Sequence, residues 1–577
     1  MSPVSLVAEA DVKLGGQPLD PEIAGQLLET RVDLHLRLPD SCSIRFADPT
    51  LDLVESSSFS LGAEVEVSFT APSGSKPVSL FKGLVASLEP EFERRQSALV
   101  VRAYDRSHLL NSTRRTEAYQ QMSYADIARK VAGTGALTAG TIDSTGAAIA
   151  FVQQSNETDW EFLWRLADEV GFEVHVSGTT LNFRKAGGSS TGSPVELAWG
   201  EELFAFRPRA TAVQQAKDVT VRGWDPASKQ EIEVSATPSP TGASIGIQRS
   251  QAVSALLGGT VTVADRPIHT AAQATELAKS VAARLSESWV EAEGVAMGNP
   301  SLTPGTKVKV AEVGKRFSGT YTLSSATHVL RGGQGYETRF AVTGRSPRSM
   351  LDLVSARTER SWRHSVVVGV VTNNNDPDAL GRVRVRYPVL GADHEGWWAR
   401  VAAPAAGTKR GLLMMPQPGD EVLVAFEHDD EEHPYVIGSV WNGTAKPQEL
   451  VHADGSFALR SDHQVLVEAA EAMTLTGDKE FTVSSAGSAK ITTSERSGEG
   501  APGDVTLDAK GKAVMKAGTS TTIEAGSEAK VSGATVKVAA GTQLQLEGGG
   551  QLTIKGAMVQ IQASGIVQIS GAQIMLG

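Results

Sequence analysis

Glycine recurs toward the end of this chain at a spacing that few architectures can use. It occupies positions 511, 518, 526, 533, 541, 548 and 556, at alternating intervals of seven and eight residues. The intervals carry apolar residues two apart, among them Val536 and Val538, Leu544 and Leu546, Leu552 and Ile554, and Val559 and Ile561, and Ile574 and Leu576 repeat the pattern further on. A period-two pair puts both side chains on one face of a short strand, and the glycine suits a turn that needs positive φ or no side chain. Repeats this short stack as a β-solenoid or a β-prism. Each segment offers only two or three apolar side chains, so a single-chain stack leaves a wet apolar face larger than the roughly few hundred Å² that monomers tolerate. Winding identical chains around one axis buries those rows and pairs the strand edges. On this reading Val536, Val538, Leu544, Leu546, Leu552, Ile554, Val559 and Ile561 face the axis of a homotrimer. The alternative is a monomeric solenoid, which requires larger or more numerous inward residues per coil.

The remaining chain changes texture three times. At roughly 150 residues per domain, 577 residues predict about four domains. In the first, ending near position 192, Val32–Leu38 and Val65–Phe69 alternate apolar and polar residues as half-buried strands do. The period then becomes helical from Thr158 to Gly171: Trp160, Leu163, Trp164 and Val170 share a face, Thr158 caps the start and Gly171 stops the end. The strand Phe172–Val176 follows. A second section, 193–345, holds strands such as Asp218–Arg222 and Lys307–Val310 and a helix from Thr270 to about Trp289, with Leu277, Val281 and Leu285 four apart. Polar residues over 346–364 read as a connector. Strands and tight turns over 365–447 have the size of a small five-stranded barrel, and 448–577 is the repeat region. The fold class is mainly β with a few helices.

Charge and cysteine content narrow the function. A net charge of −12 supplies no positive field to hold a polyanion, which excludes nucleic acid as a principal partner. The lone Cys42 allows no internal disulfide and reads as a small core filler. The opening residues have neither the basic start nor the apolar run of a signal peptide, and the purest apolar run, Val366–Val371, is far short of the roughly 20 residues that span a bilayer. Synthesis and assembly in the cytoplasm are expected.

The barrel section carries a resemblance. Gly369-Val-Val371, Gly381-Arg382-Val-Arg-Val385, Trp398-Ala-Arg400-Val401, Gly411, Pro416, Gly419-Asp420-Glu421 through Phe426, His433-Pro434, Val436-Ile-Gly438 and Trp441-Asn442-Gly443 resemble, in order and spacing, the OB-fold domain of VgrG and phage-baseplate spike proteins. The segment Phe151–Gly171 is similar to the hub of the same family. Gly298–Gly305, Phe317–Leu323, His328 and Tyr336–Gly344 are similar to late control D hub proteins of contractile phage tails. The opening Val4–Ala10, with Leu38–Ile44 and Phe46–Asp48, looks closer to phage-like and extracellular contractile injection particles than to type VI secretion. The resemblance implies a hub of two β-barrels per chain that in the trimer mimics a sixfold tube ring, then OB domains, then an intertwined triple-stranded β-helix needle. It also implies partners: an inner tube ring, baseplate proteins, effector cargo, the target-cell envelope transiently, and a PAAR-like tip protein docking on Ile574, Met575, Leu576 and Gly577.

No chemistry stands out against this mechanical reading. Gly242-Ala-Ser-Ile-Gly246 matches the nucleophile-elbow pattern but follows a Pro/Ser loop where a strand is required. Glu157, Asp159 and Glu161 sit where a helix N-terminus favours acids. The run His428-Asp-Asp-Glu-Glu-His433 contains possible cation ligands and reads as a solvated turn. His328 and His364 are isolated, and no histidine follows His463. No enzyme activity, cofactor or metal is expected. The competing readings are a type VI VgrG spike that delivers effectors, and a tail-spike hydrolase or adhesin.

Overall fold

A computed structural model describes residues 9–56, 59–71, 76–94, 96–187, 193–213, 215–239, 242–256, 258–344, 366–388, 395–447, 457–493 and 505–576. The start of the opening motif at Val4, the connector 346–364 with His364, and the tip residue Gly577 lie outside the described residues. The chain divides into two compact units, Met1–Ala458 and Leu459–Gly577.

In the first unit the period-two segments become strands with one buried face. Leu27–His35 buries Val32 and Leu34, Ser41–Ala47 buries Cys42, Ile44 and Phe46, and Glu64–Thr70 buries Val65, Val67 and Phe69. These side chains pack together with Phe81 and Val101 as one core. The strands belong to an antiparallel sheet of eleven, ordered Leu203–Ala210, Val290–Met297, Gly335–Val342, Ser325–Arg331, Leu27–His35, Ser41–Ala47, Gln96–Asp105, Val78–Glu93, Glu64–Thr70, Glu9–Leu14 and Gln17–Pro18. Hydrogen bonding therefore crosses between the two sections expected as separate hub barrels: Ser325–Arg331 pairs along Leu27–His35, Ala326 opposite Leu34 and Val329 opposite Arg31. Thr327 donates to Asp33 at 2.7 Å and Arg331 pairs with Glu29 at 2.6 Å across the same junction. Alternation reports which face a strand buries but not which strand lies beside it, so this joint was invisible in sequence.

Two helices with reciprocal capping boxes pack beside the sheet. Tyr124–Thr134 is capped by Ser123 with Asp126, and Asp159–Val170 by Thr158 with Glu161, ending on Gly171 in the left-handed region at φ 71°. Trp160, Leu163 and Trp164 are buried as the periodicity predicts, with Ile127, Val131, Phe162, Val174 and Phe183 around them, and Val170 lies at the edge of this core. The helix Ala271–Glu287 seats Ala274, Leu277 and Ala278 against Val221, Ile232 and Ile268 of a three-stranded sheet and its flank. It meets the helix Asp159–Val170 where Arg284 approaches Asp168 at 3.6 Å.

The barrel section closes on itself. Its strands β1 (Val367–Asn373), β2 (Arg382–Arg386), β3 (Glu395–Val401), β4 (Glu421–Glu427) and β5 (Asp430–Ser439) form a closed barrel in the order β1-β2-β3-β5-β4. All pairs are antiparallel except β3 with β5. Val371, Val383, Val385, Tyr387, Ala399, Val422, Val424 and Val436 fill it.

In the second unit the described residues form no backbone ladder within the chain and all are exposed. The apolar pairs are bare: Val536 is 52% exposed, Leu546 62%, Ile554 62% and Ile561 69%.

Candidate functional site: an OB barrel seated on the hub

The motif residues of the barrel prove to be its set of turns and braces. Gly381 turns the chain into β2 at φ 71° and Gly419 turns it into β4 at φ 97°, where an L-residue is strained. Arg382 grips Asp376 with two bonds, Nε to Oδ2 at 3.0 Å and Nη2 to Oδ1 at 2.6 Å, while the backbone N–H groups of Asp378, Leu380 and Arg382 donate to the same carboxylate. This fork holds the Asp376 carboxyl well below the usual carboxylate range. The Arg382 guanidinium also lies 5.8 Å from the Trp398 ring centre. Arg400 donates to the Tyr435 hydroxyl at 3.0 Å, which in turn donates to Glu427 at 2.8 Å. The Pro416 carbonyl accepts from Asn374 at 3.2 Å, and the Asp420 carboxylate accepts from the Gln417 amide at 2.8 Å. Asn442 bridges to Glu421 at 3.0 Å and caps the turn at Thr444 and Ala445. Pro434 is buried opposite Phe426, and Gly438 pairs with Leu423. These residues make a rigid small barrel, and none of them points to bond-making chemistry.

The acidic run is the correction to the sequence reading. His428 and Asp429, at φ 50° and 62°, form the tight turn between β4 and β5. The residues that follow are docked on the hub and are not a solvated turn. The Gln153 backbone N–H donates to Glu432 Oε1 at 2.9 Å, the Gln153 side chain to Glu431 Oε2 at 2.7 Å, and the Ser155 hydroxyl to Glu431. Phe151 stacks on Trp397 with centroids 5.3 Å apart, and the His269 and His433 rings meet edge to face at 4.1 Å. His269 lies 3.4 Å from Glu427, and His433 lies 3.2 Å from Asp430. Burial raises Glu432 to about 8, with Asp430 adding to the push. Burial likewise raises Glu169, to which Tyr124 donates. Arg165 holds Glu157 at 3.1 Å and caps the Gln153 carbonyl. One sequence signal could have found this interface: Gln153 and Gln154 are amides in a strand that otherwise buries Phe151 and Val152, and they are 2% and 0% exposed.

The other candidates have ordinary roles. Ser244 lies inside the strand Ala243–Ile245, paired with Gly319–Thr322, and not at a sharp turn into a helix. Glu157 pairs with Arg165, Asp159 accepts from Gln154 at 3.0 Å, and Glu161 closes its capping box. His328 is fully buried between the Tyr336 hydroxyl at 2.7 Å and the Leu302 carbonyl at 3.0 Å, and burial lowers its pKa to about 4. Cys42 is buried, which pushes its thiol upward and leaves it inert. Among the described residues no group of three or more His, Cys, Asp or Glu is arranged to hold a metal.

Residues 33–332, more than half of the chain, match the Alg8 N-terminal domain family. The chain belongs to this family and is a VgrG-like spike protein. Residues 367–441 of the spike match the type VI secretion system/phage-baseplate injector OB domain, coextensive with the closed barrel. It is 29% identical over 195 residues to the type VI secretion system spike protein VgrG4b of Pseudomonas aeruginosa, 33% of this chain and 22% of that protein. Over 123 residues it is 32% identical to VgrG5 of the same organism, 20% of this chain and 16% of the relative. The matched stretches thus span less than a quarter of these curated relatives. Among solved structures, the E. coli c3393 protein, a component of the type VI secretion system, aligns with TM-score 0.46 at 16% identity over 74% of this chain and 99% of its own. Among the described residues of this chain no helix is long and apolar enough to cross a membrane.

Proposed function

We propose that three copies of this chain form the central spike of a contractile injection machine, an extracellular contractile injection system or phage-tail-like particle. The hub joins the inner tube ring and baseplate proteins, and the repeat region is a needle that punctures the target envelope. The observation that carries this is the second unit: apolar pairs at a seven- and eight-residue repeat, without a ladder in their own chain and half or more exposed. Such segments reach a stable state by pairing their edges and burying their rows in other copies. An intertwined needle also transmits load well, because unfolding one chain requires disrupting all three. Ile574, Met575 and Leu576 form the platform for a PAAR-like tip protein, with effector cargo at the tip or in the tube. The role is non-enzymatic and needs no cofactor, and the protein is assembled in the cytoplasm.

The printed names of the curated relatives favour a second reading, a type VI secretion spike that delivers effectors. Light scattering on the intact chain tests the assembly: the expected mass is about three times 60.8 kDa, and a 60.8 kDa particle refutes the needle. Neighbouring genes separate the two machines, since sheath, tube and a baseplate ATPase without a membrane complex favour the extracellular or phage-like particle.

A further inference from the structure

The contact between the OB barrel and the hub is crowded with acids in a way that a merely structural joint does not require. Glu432 enters from the β4–β5 turn with Asp430, Glu431 and His433 beside it, and Glu427 and Tyr435 flank that turn on the barrel strands. From the hub, the strand Ile149–Thr158 brings the Gln153 amide and the Ser155 hydroxyl, and the helix Asp159–Val170 brings Arg165 and Glu169. Glu157 precedes that helix and holds Arg165, Tyr124 donates to Glu169, and Arg266 and His269 approach from the segment before the helix Ala271–Glu287. The cations facing this group of carboxyls include Arg165, which pairs with Glu157 at 3.1 Å and with Glu169 at 3.9 Å, and Arg266. Burial raises the cost of ionising Glu432, and the charges of Asp430 and Glu169 beside it add to that cost.

We propose that the β4–β5 turn is a proton-loaded latch: the OB barrel stays seated on the hub while the Glu432 carboxyl, docked on the Gln153 N–H and crowded by Asp430, retains a proton, and loosens when that proton is lost. The sign follows from linkage. The Glu432 carboxyl is raised to about 8 when docked and returns toward an ordinary value near 4.5 when the turn is free in water. The docked state therefore binds the extra proton, and docking weakens as pH rises through this window and levels off above it, by up to about tenfold per pH unit. The His269–His433 contact works in the opposite direction. Burial and His433 lower His269, so docking sheds a proton there and weakens as pH falls through the ordinary histidine range. Docking is tightest between the two limbs, and the alkaline limb belongs to Glu432.

The Gln153 amide is a built-in reporter, because it donates across the interface to Glu432, while Val152 and Gln154 pair with Tyr119 and Glu117 inside the hub. Hydrogen exchange of the full-length protein between pH 6 and 9, resolved to single amides and corrected for intrinsic rates, reads both. The expected result is loss of Gln153 protection with rising pH while Val152 and Gln154 hold, and a flat Gln153 profile in Glu432→Gln, which keeps an acceptor oxygen without a charge. Glu169→Gln, a second and independent variant, removes a charge that pushes Glu432 up and should make the loss smaller and complete at lower pH. A flat wild-type profile, the same loss in Glu432→Gln, or parallel loss at Val152 and Gln154, which marks opening of the hub strand itself, overturns the latch.

Discussion

Carboxylates placed on the apolar rows of the repeat region give the sharpest test of how it assembles. Leu546, Ile554 and Ile561 are 62%, 62% and 69% exposed in the single chain, so Leu546→Asp, Ile554→Asp and Ile561→Asp together cost that chain little. On a trimer axis each position forfeits about 1.5–3 kcal/mol of burial, and the nine positions of three chains total on the order of 13–27 kcal/mol. That exceeds the roughly 12 kcal/mol of a nanomolar association before the cost of crowding carboxylates on an axis is counted. Size-exclusion chromatography with light scattering should therefore show the triple variant at the mass of one chain, with the hub's thermal transition unchanged. Gln545→Asp, Thr553→Asp and Gln560→Asp alternate with the apolar pairs, point to the opposite face, and should leave the trimer intact. A triple variant that still assembles shows that these rows do not face the axis.

Other substitutions test the first unit. His328 is held neutral with a pKa of about 4 while the unfolded chain's histidine titrates near 6.5, so the unfolded state binds more protons below 6.5. Stability should fall by about 3 kcal/mol between pH 6.5 and 4, and urea unfolding of His328→Gln should lack that share of the slope. Arg382→Lys replaces a fork by a single contact to Asp376 and should destabilise the barrel by about 1.5–3 kcal/mol at pH 7. Because Asp376 is depressed, the clamp is fully present above the ordinary carboxylate range and lost as pH falls through the lowered value, so wild type and Arg382→Lys should converge in acid. Leu163→Ala opens the helical core where Leu163 is fully buried and should cost about 2–5 kcal/mol in denaturant melts, whereas an unchanged midpoint refutes that packing.

The features legible in the sequence are those whose cause is local. The helix Asp159–Val170 carries its own start at Thr158, its own stop at Gly171 and its buried face at Trp160, Leu163 and Trp164, all within fourteen consecutive positions. The barrel is legible for a related reason: Gly381, Asp376 with Arg382, Gly419 and Asn442 are turn devices, each acting on backbone a few residues away, so their spacing survives in one dimension. The partners of the acidic turn are not local. Glu432 and Glu431 meet Gln153 at separations of 279 and 278 residues, and nothing near position 430 distinguishes a docked carboxylate from a solvated one.

The same division explains why the two hub sections looked separable, and it points to where control can reside. Ala326 and Leu34 are neighbours in the sheet, yet each strand shows only its own alternation. Once folded, that sheet and the capped helices are held mainly by apolar burial, and His328 ties the sheet's stability to pH only on the acid side. The OB barrel meets this body through a Phe151–Trp397 stack and a set of ionisable groups whose charges change between the histidine and the raised carboxylate range. A joint that is apolar in one patch and titratable in the next carries its pH sensitivity in the titratable patch, so the latch proposed at the β4–β5 turn would act without unfolding the sheet.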